Sequence, residues 1–141
     1  MKFTILIQPR PQARTRSSGM VTQKGRVIVR AYDTKDTMLE NEQLWAMLLP
    51  HKPPQPLQGA LRLTIDCYLR VPTGFSKKKA LAALSGELRP TTKPDVDNLA
   101  KKMKDRMNGI FYLDDKQVVT LLVRKFYGDP PRWEVELTSL N

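Results

Sequence analysis

Cysteine and histidine are nearly missing from this chain: Cys67 and His51 stand alone in 141 residues. A lone cysteine excludes an intramolecular disulfide and any zinc site built on cysteines. It fits a reducing cytoplasm. A lone histidine leaves little for histidine triads or zincin motifs. No Walker-type or dinucleotide glycine motif occurs, so no organic cofactor is expected. Long apolar runs are missing too. Stretches such as Trp45-Ala46-Met47-Leu48-Leu49 fall far short of a membrane span, and no membrane partner is expected. The opening Met1–Gln8 is too short and too alternating for a signal peptide. Acids are scarce: 14 Asp and Glu face 24 Lys and Arg, a formal net charge of +10. Such an excess points to a polyanionic partner, nucleic acid foremost. The chemistry left to this chain must use carboxylates, lysines and a metal they recruit.

What is present reads as one domain over 1–141 of α/β (α+β) class: a single mixed sheet with helices packed on it. Phe3, Ile5 and Ile7 alternate as a first strand. A basic loop from Pro9 to Gly19 follows, then a hairpin of Val21–Thr22 and Arg26–Tyr32 around Gln23-Lys24-Gly25. A helix from about Thr34 to Leu49 is stopped by Pro50. Leu61, Leu63, Ile65, Cys67, Leu69 and Val71 share one face of a clear strand, which puts Cys67 in the core as a small hydrophobe. Ser76 caps a short helix ending at Ser85-Gly86. Its first turn, Lys77-Lys78-Lys79, opposes the helix dipole by about 0.3–1 kcal/mol per lysine unless a phosphate sits there. A helix after Pro94 runs to Asn108-Gly109. Two strands, Gln117–Tyr127 and Arg132–Leu137, then read as an antiparallel pair joined by Gly128-Asp129-Pro130-Pro131. Trp133 reads as a core anchor, and Tyr68 and Phe111 as packing residues.

Five of the fourteen acids fall in one short stretch: Asp95, Asp97, Asp105, Asp114 and Asp115. On the helix after Pro94, Leu99, Ala100, Met103, Met107 and Ile110 form an apolar stripe. Asp97, Lys101, Lys104, Asp105 and Asn108 lie opposite, with Asp97 and Lys101 as i,i+4 neighbours. Carboxylates that converge repel one another unless a cation sits between them. Hard oxygen donors suit Mg²⁺ or Mn²⁺, which can activate water at a phosphodiester. Simpler roles fit the same residues: Asp95 and Asp97 favour a helix start, Asp97–Lys101 is an ordinary surface pair, and Asp114-Asp115 suits a turn.

Lys93-Pro94-Asp95-Val96-Asp97-Asn98-Leu99, then Lys101, Asp105, Asn108-Gly109 and Asp114-Asp115 with Gln117-Val118, resembles the RusA family of Holliday junction resolvases. Ser76-Lys77-Lys78-Lys79 is similar to phage and prophage members. The likeness is tight in the C-terminal half and general in the N-terminal half. It implies a homodimeric, Mg²⁺-dependent endonuclease that cuts four-way DNA junctions in symmetric pairs. Asp95, Asp97 and Asp115 would be the metal-binding carboxylates, with Asp114 a further candidate, and Lys101 the functional lysine. Asp105 is second-tier. Arg10, Arg14, Arg16, Lys77, Lys78 and Lys79 would hold phosphates along the arms. A non-catalytic DNA-binding protein, or a nuclease of wider range acting on flaps and forks, shares these residues.

Overall fold

The computed structural model describes residues 1–12, 16–21, 23–32 and 35–140. In chain order its elements are β1 (Lys2–Ile5), β2 (Arg16–Val21), β3 (Val27–Tyr32), α1 (Lys35–Leu48), β4 (Leu61–Leu69), α2 (Lys77–Ser85), α3 (Val96–Met107), β5 (Val118–Tyr127) and β6 (Arg132–Ser139). Short 3-10 turns follow α1 at Leu49–His51 and precede β5 at Asp115–Gln117. Four strands make one mixed sheet in the order β1-β6-β4-β5, and β2 and β3 form a separate antiparallel pair. That pair begins earlier than its sequence suggests, inside the stretch read as a basic loop. Thr22 and Thr34 lie outside the described residues.

The period-two pattern of β4 sets the layers. Leu61, Leu63, Ile65, Cys67 and Leu69 are buried, while the alternate residues from Arg62 to Tyr68 are exposed or half-buried. Among the described residues, α1 and α3 cover one face of the sheet. Trp133, Val135 and Leu137 of β6 share that face, and Leu99, Ala100, Met103 and Met107 of α3 with Leu44 and Leu48 of α1 pack against it. Each fully buried side chain of this size contributes about 1.5–3 kcal/mol. Ile110 of the expected stripe is half-buried and packs at the margin. Lys102, 2% exposed, intrudes on the covered side of α3, where Glu40 of α1 meets it in a salt bridge.

The last two strands do not form a hairpin. β5 runs parallel to β4 on one side, and β6 runs antiparallel to it on the other. They do run in opposite directions, as the short connection requires, but β4 lies between them. The chain must therefore cross the end of β4, and Gly128 makes the crossing possible. A Cβ at Gly128 would lie 2.7 Å from the Tyr68 Cβ, while its N–H donates to the Leu69 carbonyl at 2.9 Å. Hydropathy patterns give each strand's faces but not its neighbour, so the sequence could not reveal the insertion.

Cys67 is fully buried, and burial, reinforced by Asp66, pushes its thiol up to about 12 from 9.0. At pH 8 the folded thiol is ionised in about one molecule in ten thousand. A disulfide-exchange reagent is expected to label Cys67 only at the rate of unfolding, and rapid labelling of the native protein would contradict its placement. The sign for stability follows. Between pH 9 and 12 the unfolded chain releases a proton that the folded chain keeps, so stability falls as pH rises through that window.

Candidate active site

Helix α3 is built to present acids. Its apolar stripe fixes one side against the sheet, which leaves Asp97, Lys101, Lys104 and Asp105 at its edge beside β5. Asp97, Ala100, Lys101, Lys104, Asp105, Asp115 and Leu121 line one open groove of about 330 Å³. Asp97 and Lys101 of α3 are thus brought together with Asp115 of the turn before β5, with Asp105 among them.

Asp115 reaches the groove because the chain after α3 turns back sharply. The Gly109 N–H donates to the Tyr112 carbonyl at 2.8 Å, with Gly109 at φ 79°. Tyr112 is fully buried, and its hydroxyl donates to the Lys104 carbonyl at 2.8 Å, tying the return segment to α3. Burial, with the nearby charges of Asp115 and Asp105, pushes this phenol well above its ordinary value. The same two charges bear on one ring, in keeping with their shared groove.

Asp114 does something different from its neighbour. Its carboxylate accepts from the Lys116 N–H at 3.0 Å, and the Gln117 side chain accepts from the Asp114 N–H at 3.0 Å, a reciprocal cap on the turn before β5. The Lys116 N–H, followed by the Lys116 charge, holds the Asp114 carboxyl below the usual range. Reading Asp114-Asp115 as turn residues misses this cap, which the pattern Asp114-x-x-Gln117 could have signalled.

Asp95 stands apart from the groove. It is the N-cap of α3, in extended conformation at φ −75° and ψ 148°, yet its side chain makes no capping hydrogen bond. It lines an adjoining depression of about 490 Å³ with Pro11, Gln12, Lys93, Pro94 and Asn98. The Gln12 N–H donates to the Asn98 carbonyl at 3.4 Å, joining the N-terminal basic loop to this helix. The peptide bond between Lys93 and Pro94 is cis.

Among the described residues no three His, Cys, Asp or Glu side chains converge on one point. The donor chemistry still fits Mg²⁺. That ion keeps several waters and takes one or two carboxylates in preference to a closed protein cage. An open groove with Asp97, Asp105 and Asp115 on its walls meets that requirement.

The basic candidates spread more widely. Lys77, Lys78 and Lys79 form the exposed first turn of α2, capped by Ser76, with the Lys79 ammonium 4.2 Å from the Phe75 ring centre. Arg10 is exposed and lies 3.7 Å from Glu40. Arg14 lies outside the described residues; Arg16 opens β2. Sequence reasoning did not single out Glu40 or Lys125, because neither side chain's partners are near it in the chain.

A groove holding three aspartates and two lysines, on a chain of net charge +10, suits metal-assisted chemistry on a polyanion. Comparison with known proteins gives the particular family. The family model for endodeoxyribonuclease RusA matches residues 7–138. An uncharacterized protein of Bacillus subtilis (strain 168), YqaN, is 37% identical over 143 residues, covering 100% of this chain and 97% of that protein. The crossover junction endodeoxyribonuclease rusA of Lactococcus phage r1t is 30% identical over 112 residues, covering 77% of each. The chain belongs to the RusA endodeoxyribonuclease family.

Proposed function

We propose that this protein is a divalent-metal-dependent endonuclease that resolves four-way DNA junctions by paired, symmetric cleavage. It would act in recombination and repair as a homodimer in the cytoplasm, with residues 1–141 as one nuclease domain. The observation that carries the reading is the groove that gathers Asp97, Asp115 and Lys101 in a member of this family. Support for the substrate comes from the phage relative, whose name specifies crossover junctions. Two-fold pairing of subunits supplies the two active sites that paired cuts require.

Asp97 and Asp115 would hold Mg²⁺ in the groove, Asp95 would approach from the adjoining depression, and Asp114 would steady the turn that carries Asp115. Mg²⁺ held there supplies Lewis acidity toward a phosphodiester and acidifies water. The Lys101 ammonium, one turn from Asp97, would offset negative charge developing on the scissile phosphate. Asp105, the third carboxylate of the groove and the second-tier candidate, would help to orient an attacking water. Arg10, Arg14, Arg16 and the Lys77, Lys78, Lys79 turn would track phosphates of the arms, and their contribution falls with salt.

A labelled immobile four-way junction, set beside a linear duplex and a flap of matched sequence, tests this reading. Paired nicks confined to the junction, present with Mg²⁺ and absent with EDTA, are expected. Faster cutting of the flap would move the substrate to branched DNA in general. Binding without cutting under every metal condition would refute the nuclease.

A further inference from the structure

The segment leading into α3 is held to β5 at three points. Arg89 Nε donates to the Lys125 carbonyl at 2.6 Å, and the Arg89 guanidinium stacks 4.0 Å from the Phe126 ring centre. Lys125 Nζ then donates to the Thr92 carbonyl at 2.8 Å and to the Pro94 carbonyl at 2.9 Å. Residue 94 immediately precedes Asp95. Lys125 pairs in register with Cys67, so it lies on the covered side of the sheet and is half-buried. Its ammonium has no carboxylate partner among its described contacts and spends two of its three donors on this one stretch of backbone.

That arrangement is costly unless the backbone it grips matters. A half-buried ammonium that binds two carbonyls gains less than one that meets a carboxylate. In return it fixes the two peptide groups that determine where the chain enters α3. The Asp95 carboxylate is not anchored by a cap bond. Its position is therefore inherited from the backbone on which Lys125 acts.

We infer that Lys125 is a positioning residue for Asp95: by clamping the Thr92 and Pro94 carbonyls to β5, it sets the approach of Asp95 to the metal-binding groove. The inference rests on the proposed metal site. Groups that orient ligands from behind commonly alter metal affinity by about 10–100-fold when lost.

The test is calorimetric titration of the full chain with Mn²⁺ alone, beside a metal-free thermal melt. Wild type, Lys125→Met, Lys125→Gln, Lys125→Arg and Asp97→Asn are compared. Lys125→Met and Lys125→Gln are expected to bind Mn²⁺ about tenfold or more weakly, and Lys125→Arg, which keeps charge and donors, to fall between them and wild type. The direction is informative, because removing a cation near carboxylates would alone strengthen cation binding. Affinity unchanged or tighter in a folded Met or Gln variant overturns the inference. So does failure of all three Lys125 variants to fold, which would make the clamp wholly structural. If wild type binds no Mn²⁺, or Asp97→Asn binds it equally well, the proposed metal site itself fails instead.

Discussion

Replacing Asp97 by Asn is expected to slow Mg²⁺-dependent junction cleavage by at least about 10²–10³-fold, the scale seen when one electrostatic partner of a reacting centre is removed. Asn keeps the volume and an oxygen donor but loses the charge, so the loss isolates electrostatics from shape. Asp97 is exposed on the first turn of α3, with its backbone held by the helix. The fold should tolerate the change, at a cost of about 0.3–1 kcal/mol from the helix dipole. Melting curves supply the control. Saturating Mg²⁺ should raise the wild-type melting temperature, since about 2.7 kcal/mol follows from ligand at a hundredfold excess over Kd. The variant should lose most of that rise. Cleavage at the wild-type rate by purified Asp97→Asn would remove this residue from the chemistry.

The second large effect belongs to a pair far from any phosphate. Lys102 is buried on α3, and its ammonium is met by Glu40 of α1 in a close hydrogen-bonded contact. Glu40→Gln leaves that ammonium inside the protein without a counter-charge. Breaking such a pair from one side typically costs about 3–5 kcal/mol, and about 2–4 is expected here because the Glu40 side chain keeps 22% exposure. Replacing both partners tells a different story. Glu40→Leu with Lys102→Met removes both charges, and its stability is expected within about 1 kcal/mol of wild type or above it. Urea unfolding of Glu40→Leu, Lys102→Met and the double closes a double-mutant cycle. A double variant as unstable as the sum of the singles would mean that the pair is not coupled. Because Glu40 also lies beside Arg10, the single change should loosen the loop that reaches α3 through Gln12.

Local chemistry made much of this molecule readable before any coordinates. The alternation from Leu61 to Val71 gave a strand with one buried face, which in the structure ends two residues sooner at Leu69, and the Ser76 cap and Gly86, at φ 90°, bounded α2. The stripe Leu99, Ala100, Met103, Met107 correctly oriented α3, and with it Asp97, Lys101 and Asp105. What stayed hidden depends on contacts between distant segments. Nothing within β5 or β6 signals that β4 will separate them. Lys102 looks like any solvated lysine until Glu40 is found 62 positions earlier. Asp95 and Asp97, two residues apart, fall in different depressions because the chain is extended at one and helical at the other. Asp114 and Asp115 differ for a similar reason: a capping bond takes the first and leaves the second on the groove wall.

The insertion of β4 between β5 and β6 also governs when the molecule can form. β4 is complete at Leu69, yet both strands that flank it come after residue 117, and β1 pairs only with β6. No early hairpin can nucleate the four-stranded sheet. Its first and last strands must find each other across almost the whole chain, in a register where Lys2 faces Glu136. Loop closure of that length must be met before the contacts repay it, which places folding toward the slow end for a protein of this size. During synthesis the apolar face of β4 waits for β6, so the sheet closes only once the final strand has left the ribosome.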